Sequence, residues 1–302
     1  MSWLFLVVIA YFLSAGISII DKYLLKRKFS HPINYTFWIG ILSIVILALA
    51  PFGFSIPPAK QMILSLVAGI FWLIGAGIFY NALYEGETSR VVPMTGGFIP
   101  VFILILSFIF LGERLSLKQL IAFCLLVGGG VILSLLFEKE GKSFNKKIRM
   151  IKAFVPAVIS ALMFAVYYVI TKIVFIDLGF INGLIWLRLG SALGALFLII
   201  PSSCRRKIFE KAEITKKSTL GSFVSARGLG IVAGLLIYWA IFLGSVTLVN
   251  ALQGVQYAFI LLFAFLFFRK IPSLKEHLDK RTLIQKIIAI IIIGIGLVIL
   301  VL

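Results

Sequence analysis

The sequence predicts an all-α integral membrane protein whose ten transmembrane helices form two inverted five-helix repeats. Three observations carry this. The 302-residue chain is 62% hydrophobic and only 13% charged, with a mean hydropathy of +1.14, far from the balance of a water-soluble domain. Its apolar residues gather into runs of about 18–25, each long enough to cross roughly 30 Å of hydrocarbon at 1.5 Å per residue. The two halves also match each other at a nearly constant offset.

The apolar runs place spans at 2–21, 34–51, 62–84, 90–111, 118–137, 153–175, 180–201, 223–243, 247–268 and 284–302. The longest connections, 138–152 and 202–222, are too short to fold as soluble domains, so function is expected within the bundle. The first run has small residues at Ser14, Ala15 and Gly16 but no positive region before it, and it reads as a span rather than a cleaved signal peptide.

Charge fixes the expected orientation. The net charge is +18, which in a soluble protein would point to nucleic acid, yet 23 of the 29 Lys and Arg residues lie in, or at the span edges of, connections that follow odd-numbered spans. Those of opposite parity hold only Lys60, Arg114 and Lys118. By the positive-inside rule the first set faces the cytoplasm, so both termini are expected outside a plasma (inner) membrane. The basic loops are then topology signals, not a nucleic-acid surface.

Cys124 lies in a span and Cys204 in a basic loop, which gives no disulfide framework. His31 and His277 lie in connections without metal-ligand spacing or a nucleophile nearby, and the cluster Glu276, His277, Asp279 reads as a solvated loop. No enzyme, cofactor or metal is expected.

An offset of 158 places Gly86 and Gly96 over Gly244 and Gly254; an offset of 150 places Ala15, Lys22, Gly40 and Pro51 over Ala165, Lys172, Gly190 and Pro201. Two copies of five spans follow, with residues 1–137 as the first repeat, 138–152 as a basic cytoplasmic linker and 153–302 as the second repeat. Five is odd, so the second copy enters the membrane inverted, the arrangement that lets a central site open to either face in turn.

The residues Gly86, Ser89-Arg-Val-Val-Pro93, Pro100-Val-Phe102, Phe110-Leu-Gly-Glu-Arg-Leu115 and Val127-Gly-Gly-Gly-Val131 resemble the EamA-type drug/metabolite transporter superfamily. The second half departs from the pattern, with Ala251, Ala258 and Arg269-Lys270 at the matching positions. The resemblance implies a ten-helix carrier with a central cavity lined mainly by the first, third, fourth, sixth, eighth and ninth helices. It implies transport of a small solute such as an amino acid or other metabolite; monomer and homodimer both stay open. Such relatives keep both termini in the cytoplasm, the reverse of what the loop charges here indicate.

Polar residues within spans are the candidate solute ligands, because a charge at mid-helix costs about 2.5–3.5 kcal/mol on insertion scales and normally faces protein or water. Arg188 is the strongest. Gly190 and Gly194 follow it at a spacing that admits a second helix, and its fork of donors suits a carboxylate or phosphate. Its alternative is a structural ion pair or carbonyl contact. Lys172, preceded by Tyr167, Tyr168 and Thr171, either faces the cavity or snorkels outward toward Asp177. Asn81 and Tyr84 end the third span, while Asn250, Gln253, Gln256 and Tyr257 open the ninth; all could bind solute or bridge helices. Pro93, Pro100 and Gly96 could serve gating, or simple packing. Asp21, Glu85, Glu87 and Glu113 all sit at span ends, so no coupling ion is assigned. A basic, amide-rich lining favours an anionic or zwitterionic solute. Two other functions stay open: a flippase for a lipid-linked head group, and a non-transporting membrane interaction subunit.

Overall fold

A computed structural model describes residues 2–27, 31–85, 88–134, 144–209, 217–267 and 280–301, and the described residues are almost wholly helical. In hydrocarbon no water completes the backbone's hydrogen bonds, so even the β-branched runs of this chain close them within helices. The elements are α1 (Ser2–Arg27), α2 (Pro32–Leu42), a 3₁₀ segment (Ser43–Phe52), α3 (Ala59–Glu85), α4 (Thr88–Leu111), α5 (Leu117–Ser134), α6 (Phe144–Leu178) and α7 (Phe180–Phe197). There follow α8 (Ser202–Phe209), α9 (Lys217–Leu243), α10 (Val246–Ala251), α11 (Gln253–Phe267) and α12 (Lys280–Val301).

This is an integral, multi-pass membrane protein. Among the described residues seven helical stretches are long and apolar enough to cross a membrane, including Trp3–Asp21, Ala59–Tyr84 and Phe180–Phe197; Leu117–Ile132, Arg227–Leu243 and Val246–Ile260 are shorter apolar helices. The outside of the bundle is greasy: Phe108, Ile109 and Phe110 on α4 and Ile287, Ile288, Ile291 and Ile295 on α12 are all exposed. Such a belt is a liability in water and the normal surface of a protein in lipid.

Several elements differ from the sequence expectation. The second span begins as α2 and tightens into 3₁₀ geometry from Ser43, none of it buried, with Pro51 removing a backbone donor near its end. The ninth divides at Leu252 into α10 and α11, and Ser245 caps α10 by accepting from Leu248 N–H at 3.0 Å. Residues 144–152, expected in the basic linker, continue α6. The seventh ends at Phe197, and the basic α8 follows, anchored where Asn34 Nδ2 donates to the Ile208 carbonyl at 2.8 Å. The Glu276–Asp279 cluster lies outside the described residues.

α1 packs on α9 and α11, α6 on α3 and α4, α5 on α12, and α7 on α2 and α3. The α3–α7 crossing brings backbone against backbone. A Cβ built on Gly190 would meet the Leu66 carbonyl oxygen at 2.2 Å, and one on Gly69 would meet that of Leu187 at 2.1 Å. Only glycine fits at either position, as the Gly190–Gly194 spacing predicts. Gly190→Ala is therefore expected to lower stability by about 1–3 kcal/mol or more. Gly294→Ala, where a Cβ meets nothing within 4 Å, is expected to leave it unchanged. Thermal unfolding in detergent reads the difference, and equal midpoints for the two variants would contradict this account of the seam.

Candidate solute-binding site

Arg188 lies near the middle of α7, on the helix that glycines pull tightly onto α3. Its guanidinium carbon sits 4.9 Å from the ring centroids of both Trp72 on α3 and Tyr238 on α9. Electron-rich ring faces attract the cation by about 0.5–2 kcal/mol each, which offsets part of its cost in the bundle. Nη2 donates to the Tyr238 hydroxyl at 2.7 Å, and Tyr167 on α6 donates to the same oxygen at 3.1 Å. Both lone pairs of Tyr238 are thus occupied, leaving its own proton for a further acceptor. Tyr167 is fully buried, with the Tyr168 ring 5.4 Å away.

The guanidinium is only partly answered. No carboxylate pairs with Arg188 among the described residues. Its Nε and Nη1 make no hydrogen bond there either, and neither is sealed from solvent-sized space. A planar edge of donors therefore remains open between two aromatic faces, an arrangement suited to an oxygen-bearing solute with one apolar face.

The other candidates divide. Lys172 does not stand free: Nζ donates to the carbonyls of Ile241, Phe242 and Gly244 at 2.8, 3.0 and 2.9 Å, so all three of its donors cap the C-terminus of α9. Asp177 is exposed and is not its partner among the described residues. Asn250 turns back onto its own helix, with Nδ2 donating to Val246 O at 2.8 Å. Gln256 bridges α11 to α1 through Ser18 Oγ at 3.0 Å. Tyr257 donates to Val92 O at 3.2 Å and fills the space over Gly96, where a Cβ would come within 1.6 Å of its hydroxyl and 3.0 Å of Gln253 Nε2. Gly96 thus serves contact between α4 and α11. α4 runs unbroken through Pro93 and Pro100, of which Pro100 is buried.

Asn81 and Tyr84 are exposed on α3. Asn81 lines an apolar groove of about 500 Å³ between α2, α3 and α7, with Thr36, Leu73, Gly77 and Phe197 among its walls.

Two parts of the interior were not singled out from sequence. Trp72 and Tyr238 look like ordinary apolar-run aromatics, although Tyr238 falls over Tyr80 at the 158 offset. Arg227 also lies in a span, as Lys172 and Arg188 do, and a count of cations within the apolar runs finds it. It forms an ion pair with Asp21.

Residues 1–135 match the family model described as EamA-like transporter family. An uncharacterized protein of Methanocaldococcus jannaschii is 32% identical over 97 residues, covering 32% of this chain and 70% of that one. The chain belongs to the EamA-like transporter family. That places it among transporters and not enzymes. Within reach of this EamA-like chain are the glucose uptake protein GlcU of Staphylococcus xylosus, 29% identical over 200 residues, and the probable glucose uptake protein GlcU of Staphylococcus epidermidis, 31% identical over 141. The matches cover 65% and 45% of this chain and span 63% and 48% of the two relatives' own lengths. A solved crystal structure shares the fold with a TM-score of 0.64 at 19% identity, over 98% of this chain and 93% of the other.

The three bonds of Lys172 make it a structural cap. Lys172→Met is expected to lower stability by about 2 kcal/mol, since hydrogen bonds to a charged group contribute roughly 1.5–3 kcal/mol. Thermal unfolding checks this, and an unchanged midpoint would return the lysine to the list of free cations.

Proposed function

We propose that the protein is a secondary or facilitative carrier of a small polar organic solute, working by alternating access, with Arg188 as the group that holds the solute. The observation that carries this reading is the open donor edge of Arg188 between Trp72 and Tyr238. A buried guanidinium without a carboxylate is costly, and a solute supplying oxygen acceptors offsets that cost on arrival. A pyranose or a sugar acid fits: hydroxyl or carboxylate oxygens face Arg188 and the Tyr238 proton, while the apolar face of the ring lies on Trp72. The similarity to a glucose uptake protein and a probable glucose uptake protein of staphylococci supports sugars as the first class to test.

Alternating access rests on the duplicated design. In this reading the seven long apolar helices and the three shorter ones make ten crossings, with both termini outside a plasma membrane. The packing supports inverted repeats: α1 on α9 and α11 has its counterpart in α6 on α3 and α4, while α2–α7 and α5–α12 pair an element with its own equivalent. A lipid head-group flippase would need a lateral opening that reaches Arg188. The groove between α2, α3 and α7 does not have Arg188 in its lining and is not that opening.

Solute counterflow in proteoliposomes tests the reading. Vesicles preloaded with unlabelled glucose or gluconate are expected to accumulate the labelled solute transiently with the parent protein. With Arg188→Met, whose folding is checked by thermal unfolding in detergent, accumulation is expected to fall by at least an order of magnitude, the loss of an interaction of about 1.4 kcal/mol or more. Equal counterflow by parent and Arg188→Met would overturn the role given to the arginine.

A further inference from the structure

A second buried cation stands on the same helix face as the Arg188 site, and it is locked. Arg227 and Gly234 are seven residues apart on α9, two turns and about 10.5 Å along one face. At Gly234 a Cβ would lie 3.8 Å from Arg188 Nη2, so this face leads directly from the solute site toward the end where α1 finishes and α9 begins. That end carries the exposed Arg205, Arg206 and Lys207 of α8.

Here Arg227 pairs with Asp21 of α1, and each side chain is only 13% exposed. Tyr35 of α2, fully buried, donates its hydroxyl to Asp21 Oδ1 at 2.7 Å, and its ring lies 5.6 Å from the Arg227 guanidinium carbon. Tyr80 of α3 meets Tyr35 edge-on at 4.9 Å. One ion pair thus ties together four helices: α1, α2, α3 and α9.

The repeat offset shows why a side chain does this work. Gly69 lies ten residues into α3 and Arg227 ten residues into α9, matched at 158, while Asp21 matches Thr171 at 150. Gly69 lets α3 touch α7 backbone to backbone. At the matching place α9 presents Arg227 instead, and its side chain reaches across to α1 and α2. A glycine seam has no reversible part; an ion pair can open when a partner is exchanged.

We propose that the Asp21–Arg227 ion pair is a gate across the solute pathway at the basic end of the bundle, closed in this structure, and that it opens for solute to pass between that end and Arg188. This rests on the carrier reading above for the existence of a pathway.

Cysteine accessibility tests it without any solute. In a background of Cys124→Ser and Cys204→Ser, Gly234→Cys places a thiol beside Arg188, where its Cβ makes only ordinary contacts. The probe is the membrane-impermeant cation 2-(trimethylammonium)ethyl methanethiosulfonate, applied to right-side-out and everted vesicles. Asp21→Asn and Arg227→Gln are expected to label about tenfold faster than the parent from the basic-end face alone, while Asp21→Glu, which keeps the charge, labels slowly. Equal rates for parent and variants from that face would overturn the gate. So would a rise of similar size from both faces, which means a loosened bundle. Counterflow with unchanged labelling sinks the gate and leaves the carrier; faster one-sided labelling without counterflow of any sugar does the reverse.

Discussion

A guanidinium in the middle of a bundle that sits in lipid must be answered by other groups, and the interior of this molecule is arranged around that requirement. Arg188 reaches its place because α7 and α3 touch through Gly69, Gly190 and Gly194. That contact sets Trp72 under one face of the cation, while α9 brings Tyr238 against another. Tyr167, from α6, donates to the phenol that Arg188 also uses. Four helices therefore converge on one charge. Residual donors are left over, and in a transporter the missing partner is most simply the cargo.

Lys172, Arg227 and Arg188, three cations inside the apolar runs, are handled in three different ways. Lys172 is saturated by the last carbonyls of α9, where the helix dipole also favours a positive charge. Arg227 is neutralised by Asp21 and framed by Tyr35. Arg188 keeps Nε and Nη1 without a hydrogen-bond partner among the described residues. In the reading proposed above, this gradation separates a group that holds the fold, a group that can switch and a group that awaits a ligand. It also explains why the aromatic residues of the interior cluster where they do: phenol and indole rings answer a cation without neutralising it.

Arg188 and its glycine seam were legible in the sequence, because a lone arginine in an apolar run and a small-residue spacing are both local signals. The helical character and the positions of the apolar helices were legible for the same reason. The role of Lys172 was not, since its partners belong to the end of a helix some seventy residues away, and nothing at Lys172 reports where that helix stops. Asn250 and Gln256 looked like solute ligands on one helix face; the first satisfies itself on Val246 and the second is consumed by Ser18. The 3₁₀ segment after α2 and the helical start of α6 depend on tertiary setting and on a charged stretch that hydropathy alone reads as loop.

The central claim is that the open edge of Arg188 binds the cargo, and a structure determined with the transported solute bound tests it most directly. The account requires a solute oxygen within hydrogen-bonding distance, about 2.7–3.2 Å, of Arg188 Nε or Nη1, with the solute's apolar face on Trp72. A solute bound elsewhere in the bundle, with the guanidinium edge of Arg188 still unoccupied, would contradict it.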